Sequence, residues 1–276
     1  MVYVDSAGIT DVGRKRDKNE DSMLIDLNCN LFVVADGVGG HRAGEVASNL
    51  AIQTIKDYIE KNSKKNMPVD VFDADDVVFD DANLLVSSIK AANSEVYNRS
   101  TANESLKGMA STLSAVLVSD EMIFTANVGD SPIYLVSNGE IELVSVAHTL
   151  SNEQKKISDA SDQAIEIDES SKNMLTRCIG IKETVKVDFC ELPYIKGDQL
   201  IICSDGLSGK VSEKEIFNIV TCHNTEKACR LLVDLANERG GDDNITVIIL
   251  KIKKGFISIN LSRAVKKIRN FFHKLI

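Results

Sequence analysis

The sequence predicts an α+β fold in which helix pairs lie outside stacked, mainly antiparallel strands. Two patterns and one turn carry this reading. Short apolar runs recur at 2–4, 23–27, 31–35, 113–118, 122–128, 133–136, 141–146, 185–189, 199–203 and 245–252. Helical spacing appears in two separate pairs of segments that interrupt those runs. Asn138-Gly139 stands between two of the runs, and that dipeptide suits a type I′ hairpin turn, which needs positive φ at both central residues. Helix pairs set between runs of antiparallel strands imply layers, with the helices outside the sheets.

Asn28-Cys29-Asn30 predicts a further turn between strands. In the first helical pair, Val46, Leu50, Ile55, Tyr58 and Ile59 mark one face, and Leu84, Leu85, Ile89, Ala92 and Val96 mark another. In the second pair, Ser212-x-x-Glu215 is a capping box ahead of Ile216, Phe217, Ile219 and Val220. Ala228, Leu231, Leu232 and Leu235 continue to a stop at Gly240-Gly241. Two polar stretches, 62–81 and 149–173, read as loops. Asp73-Ala74-Asp75-Asp76 invites a calcium-loop reading, which fails because position 78 is Val instead of Gly and the twelfth position is Leu84 instead of Glu.

A chain of 276 residues can bury a substantial core, and its 43% hydrophobic and 26% charged composition is that of a soluble globular protein. The net charge of −9 is unevenly spread. Residues 251–276 hold eight of the 32 basic side chains and no acidic one, so the preceding body sets 24 basic against 41 acidic groups, a balance of −17. Such a body excludes nucleic acid as a partner, because a phosphate backbone needs a basic surface. Six cysteines form no C-x-x-C pair or zinc-like grouping, the first residues lack a signal-peptide pattern, and no stretch approaches the ~20 apolar residues of a membrane span. The expectation is a reduced, cytoplasmic protein.

The chemistry lies at the ends of the apolar runs. Leu31–Ala35 stops at Asp36-Gly37-Val38-Gly39-Gly40-His41, residues 124–129 stop at Asp130, residues 200–204 stop at Asp205-Gly206, and Asp243-Asn244 opens the last run. Acidic residues at strand tips can meet in space although far apart in sequence. Bare carboxylates held together repel, and a hard divalent cation relieves that repulsion. The pattern therefore points to a metal centre. Each motif alone has a plainer reading. The glycine-rich segment is either a tight βα turn or a place where backbone approaches a ligand, and His41 is either a helix-start histidine or an acid near neutral pH. The charged run from Asp11 to Asp21 is either solvated surface or, through Arg16, a phosphate contact, with Glu20 and Asp21 near metal-bound water.

Taken together and in order, the motifs resemble the metal-dependent protein phosphatase 2C (PP2C) type, in its bacterial branch. They are Asp11-x-Gly13-x-x-Arg16-x-x-Asn19-Glu20-Asp21, Val34 to Glu45, Ser111-Thr112-Leu113 and Asn127-Val128-Gly129-Asp130-Ser131. Leu175-Thr176-Arg177-x-x-Gly180, Ser204-Asp205-Gly206-Leu207 and Asp243 to Val247 complete the series, over roughly residues 3–252. The resemblance implies a central antiparallel β-sandwich flanked by antiparallel helix pairs, a four-layer αββα arrangement. It further implies hydrolysis of phosphoserine and phosphothreonine in proteins by a hydroxide bridging two Mn²⁺ or Mg²⁺ ions. Asp36 would bridge the ions, Asp205 and Asp243 would ligate one, and the Gly37 carbonyl and water held by Glu20 would complete the other. Asp21 would stand one step behind these ligands, Arg16 would hold phosphate, and His41 would protonate the leaving oxygen.

Three positions depart from the pattern. Gly209 stands where an Asp of a third, weaker metal site is usual, which leaves Asp130 alone there and predicts weak or no third-ion occupancy. Pro132 and Asp242 replace common arginines, and Asp242 is not expected to stand in for the missing ligand, because neighbours on extended backbone point apart. The domain is expected over 1–252, with a substrate-selecting flap at about 149–173 that carries no readable motif. The tail, 253–276, reads as a basic amphipathic helix over 257–276. It would dock on an anionic inner-membrane surface, a partner protein or the protein's own acidic body. The expected partners are phosphorylated proteins, including a Ser/Thr kinase and its substrates. Two other functions stay open: a catalytically inactive relative used as a binding or regulatory module, and a partner-switching phosphatase with one dedicated protein substrate. Intact Arg16, Asp36, Asp205 and Asp243 argue against the first.

Overall fold

The computed structural model describes residues 2–38, 43–63, 80–161 and 171–254. Its first strands are β1 (Tyr3–Asp11), β2 (Ser22–Asp26), β3 (Leu31–Ala35) and the two-residue β4 (Gly37–Val38). After helices α1 (Ala43–Ser63) and α2 (Asp80–Ala102) come β5 (Ala110–Ser111), β6 (Leu113–Val118), β7 (Ile123–Val128), β8 (Ile133–Ser137) and β9 (Glu140–Leu143). Then follow α3 (Leu150–Ser161), β10 (Asp188–Leu192), β11 (Gln199–Cys203), α4 (Asp205–Ser208), α5 (Glu213–Cys222), α6 (Thr225–Glu238) and β12 (Ile245–Lys254).

Two five-stranded antiparallel sheets, ordered β1-β12-β11-β8-β9 and β10-β7-β6-β3-β2, form a sandwich. The alternation of side chains along each strand separates three cores. On β3, Phe32 and Val34 face the other sheet while Leu31, Val33 and Ala35 pack under α1 and α2. On β12, Ile248, Leu250 and Ile252 face into the sandwich, and Ile245, Val247 and Ile249 pack under α5 and α6. Both faces of each central strand are thus apolar, which is why these runs read as continuous instead of alternating. The predicted four-layer αββα arrangement is the one observed. The hairpin turn is also as expected, with positive φ at Asn138 (53°) and Gly139 (83°) between β8 and β9.

Several boundaries differ from the sequence expectation. β1 runs to Asp11 instead of stopping near residue 4, because its whole length pairs with β12 and Gly8 lets it pass close over Met23, Ile25 and Ile248. The run 185–189 becomes β10 three residues later: Val185 and Val187 pack on the helix-side core, and pairing with β7 begins only at Asp188. The run 141–146 forms strand only at Glu140–Leu143; Val144 lies buried in the sandwich core beyond it. The polar stretch 149–173, read as a loop, contains α3. Its Glu, Gln and Lys are good helix formers, so polarity did not predict irregular backbone. Asn152 Nδ2 donates to the Ala147 carbonyl, and Leu150 N–H donates to Met174, which anchors its start. β12 also takes in Lys253 and Lys254, assigned in sequence to the tail. Residues 73–76, 162–170 of the flap and the 257–276 helix lie outside the described residues, as does His41.

Candidate metal and phosphate site

Strand pairing brings the acidic tips to one end of the sandwich. β11 pairs with β12 so that Cys203 faces Val247, which places Asp205 beyond the end of one strand and Asp243 before the start of the other. In the second sheet, Asp36 follows β3 and Asp130 follows β7. Thr112 ties these two tips together. Its hydroxyl accepts from the Asp36 N–H at 3.0 Å and shares a 2.8 Å hydrogen bond with Ser131, while its own N–H donates to the Asp36 carbonyl at 2.8 Å.

Two glycines permit the approach of the segments. A Cβ on Gly206 would lie 2.0 Å from the Asn244 carbonyl oxygen, so the Asp205-Gly206 turn rests directly on the backbone of the Asp243 segment. A Cβ on Gly37 would lie 2.3 Å from the Gly44 oxygen and 2.6 Å from the Glu20 oxygen, which seats the loop after Asp36 against the start of α1 and the Glu20 backbone. Neither position has a left-handed φ; what is needed at both is the absence of a side chain.

The N-terminal charged run is suspended from the far end of the chain. The Gly241 carbonyl, just past α6, accepts from the N–H groups of Arg14 (2.7 Å) and Lys15 (3.2 Å). The Asn244 side chain accepts from Glu20 N–H at 2.8 Å and donates to the carbonyls of Val12 (2.9 Å) and Lys18 (2.8 Å). Arg16 is thereby set beside the cluster, where its Nη2 donates to Asp243 Oδ2 at 2.8 Å. Asp21 is buried behind the cluster and accepts from Ser204 Oγ (2.8 Å) and Thr246 Oγ1 (2.6 Å).

These carboxylates strain against one another. Burial, and then the charges of Asp21, Asp205, Asp130 and Asp243, push the Asp36 carboxyl well above the usual range. Burial and Asp243 raise Asp205, partly offset by its hydrogen bond with Asp36. Burial raises Asp21 to about 6 against its two hydroxyl donors; burial followed by Asp205 raises Asp130 to about 6. Glu20 is raised by burial, and Arg16 works against that shift. Among the described residues no three acidic, histidine or cysteine side chains already close around one point. Asp243 is paired with Arg16, and Asp36 shares a hydrogen bond with Asp205. The donors are all oxygen and mutually repelling, and they line an open cleft of about 840 Å³, a set that fits hard divalent cations.

Of the residues singled out in sequence, Arg16, Glu20, Asp36, Gly37, Asp130, Asp205 and Asp243 all line this cleft, and Asp21 lies behind it. Gly209 follows α4 and offers no side chain. Asp242 is bonded to Lys210 instead of facing the cluster. Sequence reasoning missed the bracing. Asn244, Ser204, Thr246 and Thr112 stood in the motifs without roles. A second network had a sequence signal only at Arg177, which stood in a motif without a role. Buried His148 accepts from the Gly129 N–H at Nδ1 (2.9 Å), and its Nε2 lies 3.0 Å from Asp188 Oδ2 and 2.9 Å from Arg177 Nη1. Arg177 completes the network with a 2.6 Å pair to Asp188, and with burial opposing them these bonds hold that carboxyl far below the usual range.

A family model described as Protein phosphatase 2C matches residues 13–237. The serine/threonine phosphatase stp of Listeria monocytogenes is 33% identical over 247 residues, covering 88% of this chain and 93% of that protein. Protein phosphatase PhpP of Streptococcus pneumoniae is 31% identical over 251 residues, covering 89% and 96%. Among solved structures, the Mycobacterium tuberculosis phosphatase PstP/Ppp superposes with a TM-score of 0.76 at 27% identity, over 92% of this chain and all of that one. A PstP catalytic domain with two manganese ions gives 0.74 at 27% identity, with the same coverage.

Proposed function

This chain belongs to the protein phosphatase 2C family, and from that premise we propose that it hydrolyses phosphoserine and phosphothreonine in proteins with two Mn²⁺ or Mg²⁺ ions held in the cleft. It is a serine/threonine phosphatase by its relatives. The observation that carries the finer reading is the gathering of Asp36, Asp205 and Asp243, from three strand ends, with carboxyl pKa values raised at Asp36 and Asp205. Asp36 would bridge the ions, Asp205 and Asp243 would ligate one, and the Gly37 carbonyl with water held by Glu20 would serve the other. Two such ions, when bound, would supply hydroxide near neutral pH by lowering the pKa of bound water.

The chain's own residues do the rest. Arg16 is placed at the cluster's edge with its guanidinium held by a carboxylate, and it can exchange that partner for phosphate oxygens once cations neutralise Asp243. Asp21, fixed by two hydroxyls, holds the negative field behind the ligands. His41 is proposed as the acid for the leaving seryl or threonyl oxygen. Phosphorylated proteins, among them a Ser/Thr kinase and its targets, are the proposed partners. The deciding test is hydrolysis of a small aryl phosphate with Mn²⁺, with EDTA, and by the Asp205→Asn variant. Activity in Mn²⁺ alone, and only in the unaltered protein, is expected; activity that survives EDTA overturns the assignment.

A further inference from the structure

The cleft is chemically two-sided. Part of its lining is acidic, yet the lining residues drawn from the stretch 173–186 are apolar, polar or basic, and Glu183 of that stretch is not among them. Among the described residues eight large hydrophobic side chains are exposed, and three of them line this one cleft: Val38 (43%), Met174 (59%) and Ile181 (49%). Scattered exposed hydrophobics need no explanation, but three gathered at a catalytic mouth mark a surface that something covers. Beside them, exposed Lys182 and Lys186 also line the cleft, on a body whose balance is −17. Arg177 lines it too, but its charge is already met by Asp188.

We propose that this rim is a substrate subsite that selects phosphopeptides with an apolar side chain next to the phosphoresidue and acidic residues beyond it. The inference rests on the phosphatase reading and deepens it. The phosphate belongs to the floor, where cations neutralise the carboxylates. The apolar neighbour would cover Met174, Ile181 and Val38, and the acidic residues would meet Lys182 and Lys186. Charge complementarity fixes the sign: a basic peptide would meet two lysines at this wall, and like charges facing each other disfavour binding. A small aryl phosphate reaches only the floor and is indifferent to the rim.

The test is a two-by-two set of phosphothreonine peptides, with leucine or glutamine beside the phosphoresidue and glutamate or lysine further out. Aryl phosphate hydrolysis runs in parallel as the control. The leucine–glutamate peptide is expected to show about 10-fold higher kcat/KM than the glutamine–lysine peptide. The double variant Lys182→Glu/Lys186→Glu should invert the charge preference, and Met174→Gln/Ile181→Gln should erase the apolar one. Both should leave aryl phosphate turnover unchanged, since all four side chains are exposed. Equal kcat/KM across the four peptides, or variants that slow aryl phosphate as much as peptide, would overturn the subsite. If the unaltered protein hydrolyses no aryl phosphate, the phosphatase reading itself fails. The preference is then still read from fluorescence anisotropy of the labelled peptides, where equal affinities overturn it.

Discussion

The Asp243 corner of the cleft and the Asp130 corner share a strand-tip origin but are built to different standards. Asp243 is backed by Gly206 packed onto the adjoining carbonyl, by Arg16 on its carboxylate, and by an Asn244 side chain that holds three backbone groups of the N-terminal loop. Among the described residues Asp130 is held only through its chain neighbours, Gly129 by His148 and Ser131 by Thr112 and Ser114. Gly209, where the family resemblance leads one to expect a second acid, caps α4 with an ordinary φ of −70°. A Cβ there would lie 2.9 Å from the Asp205 carbonyl oxygen, so a side chain requires a small shift of the α4 end. The difference teaches that one corner is braced by direct contacts from distant segments and the other through its chain neighbours, which the proposed ligand roles would explain.

Five substitutions test that contrast, beginning with the largest effect. Asp36→Asn should lower Mn²⁺-dependent turnover by about 10³-fold or more, because it removes the carboxylate shared by both proposed ions; turnover within a few-fold of the unaltered protein would remove Asp36 from the centre. Gly206→Ala should cost about 3 kcal/mol or more in a denaturant titration and lower activity with it, since its Cβ would sit 2.0 Å from a carbonyl oxygen. Asn244→Ala should lose roughly 10- to 100-fold in activity, with thermal unfolding showing a smaller loss. Asp130→Asn, at the weaker corner, should change turnover by less than about 3-fold, whereas Gly209→Asp should add a third bound Mn²⁺ by calorimetric titration. A well-ordered third ion beside Asp130 in the unaltered protein would sink the contrast.

Protons offer a further probe. Asp21 and Asp130 stand near 6 in the folded protein against an ordinary 3.8. Without metal, the folded state therefore binds protons that the unfolded chain releases. The stabilisation is fully present below about pH 4 and lost as pH rises through 6. In EDTA, the unfolding temperature should rise as pH is lowered from 7 to 5 in this range of titration. Saturating Mn²⁺ should flatten or reverse that trend, because cations then replace the protons.

The strand-tip aspartates were legible because an apolar run that stops at Asp-Gly states both a strand and its end. The helix pairs were legible from their spacing, and the hairpin from Asn138-Gly139. Other features were not. α3 is polar on most of its length, so composition hid a helix that propensity would have allowed. β10 begins at Asp188 because Val185 and Val187 pack on helices, a choice fixed by neighbours distant in sequence. His148 and Asp188 meet only through folding, and nothing in either segment announces the other. The Asn244 clamp lay inside a recognised motif, yet its partners, Val12, Lys18 and Glu20, are more than 220 positions away.

The pairing of β1 with β12 has a consequence for how the protein comes to be made. Among the described residues the first strand finds its only neighbour in its own sheet at residues 245–254, and the loop that carries Arg16 hangs from Gly241. A nascent chain that has emerged as far as α6 holds Asp36, Asp130 and Asp205 but has neither Asp243 nor a partner for its opening strand. Such long-range closure is slow to form and comes late. The cleft is therefore complete only when residues 241–254 have been made and paired.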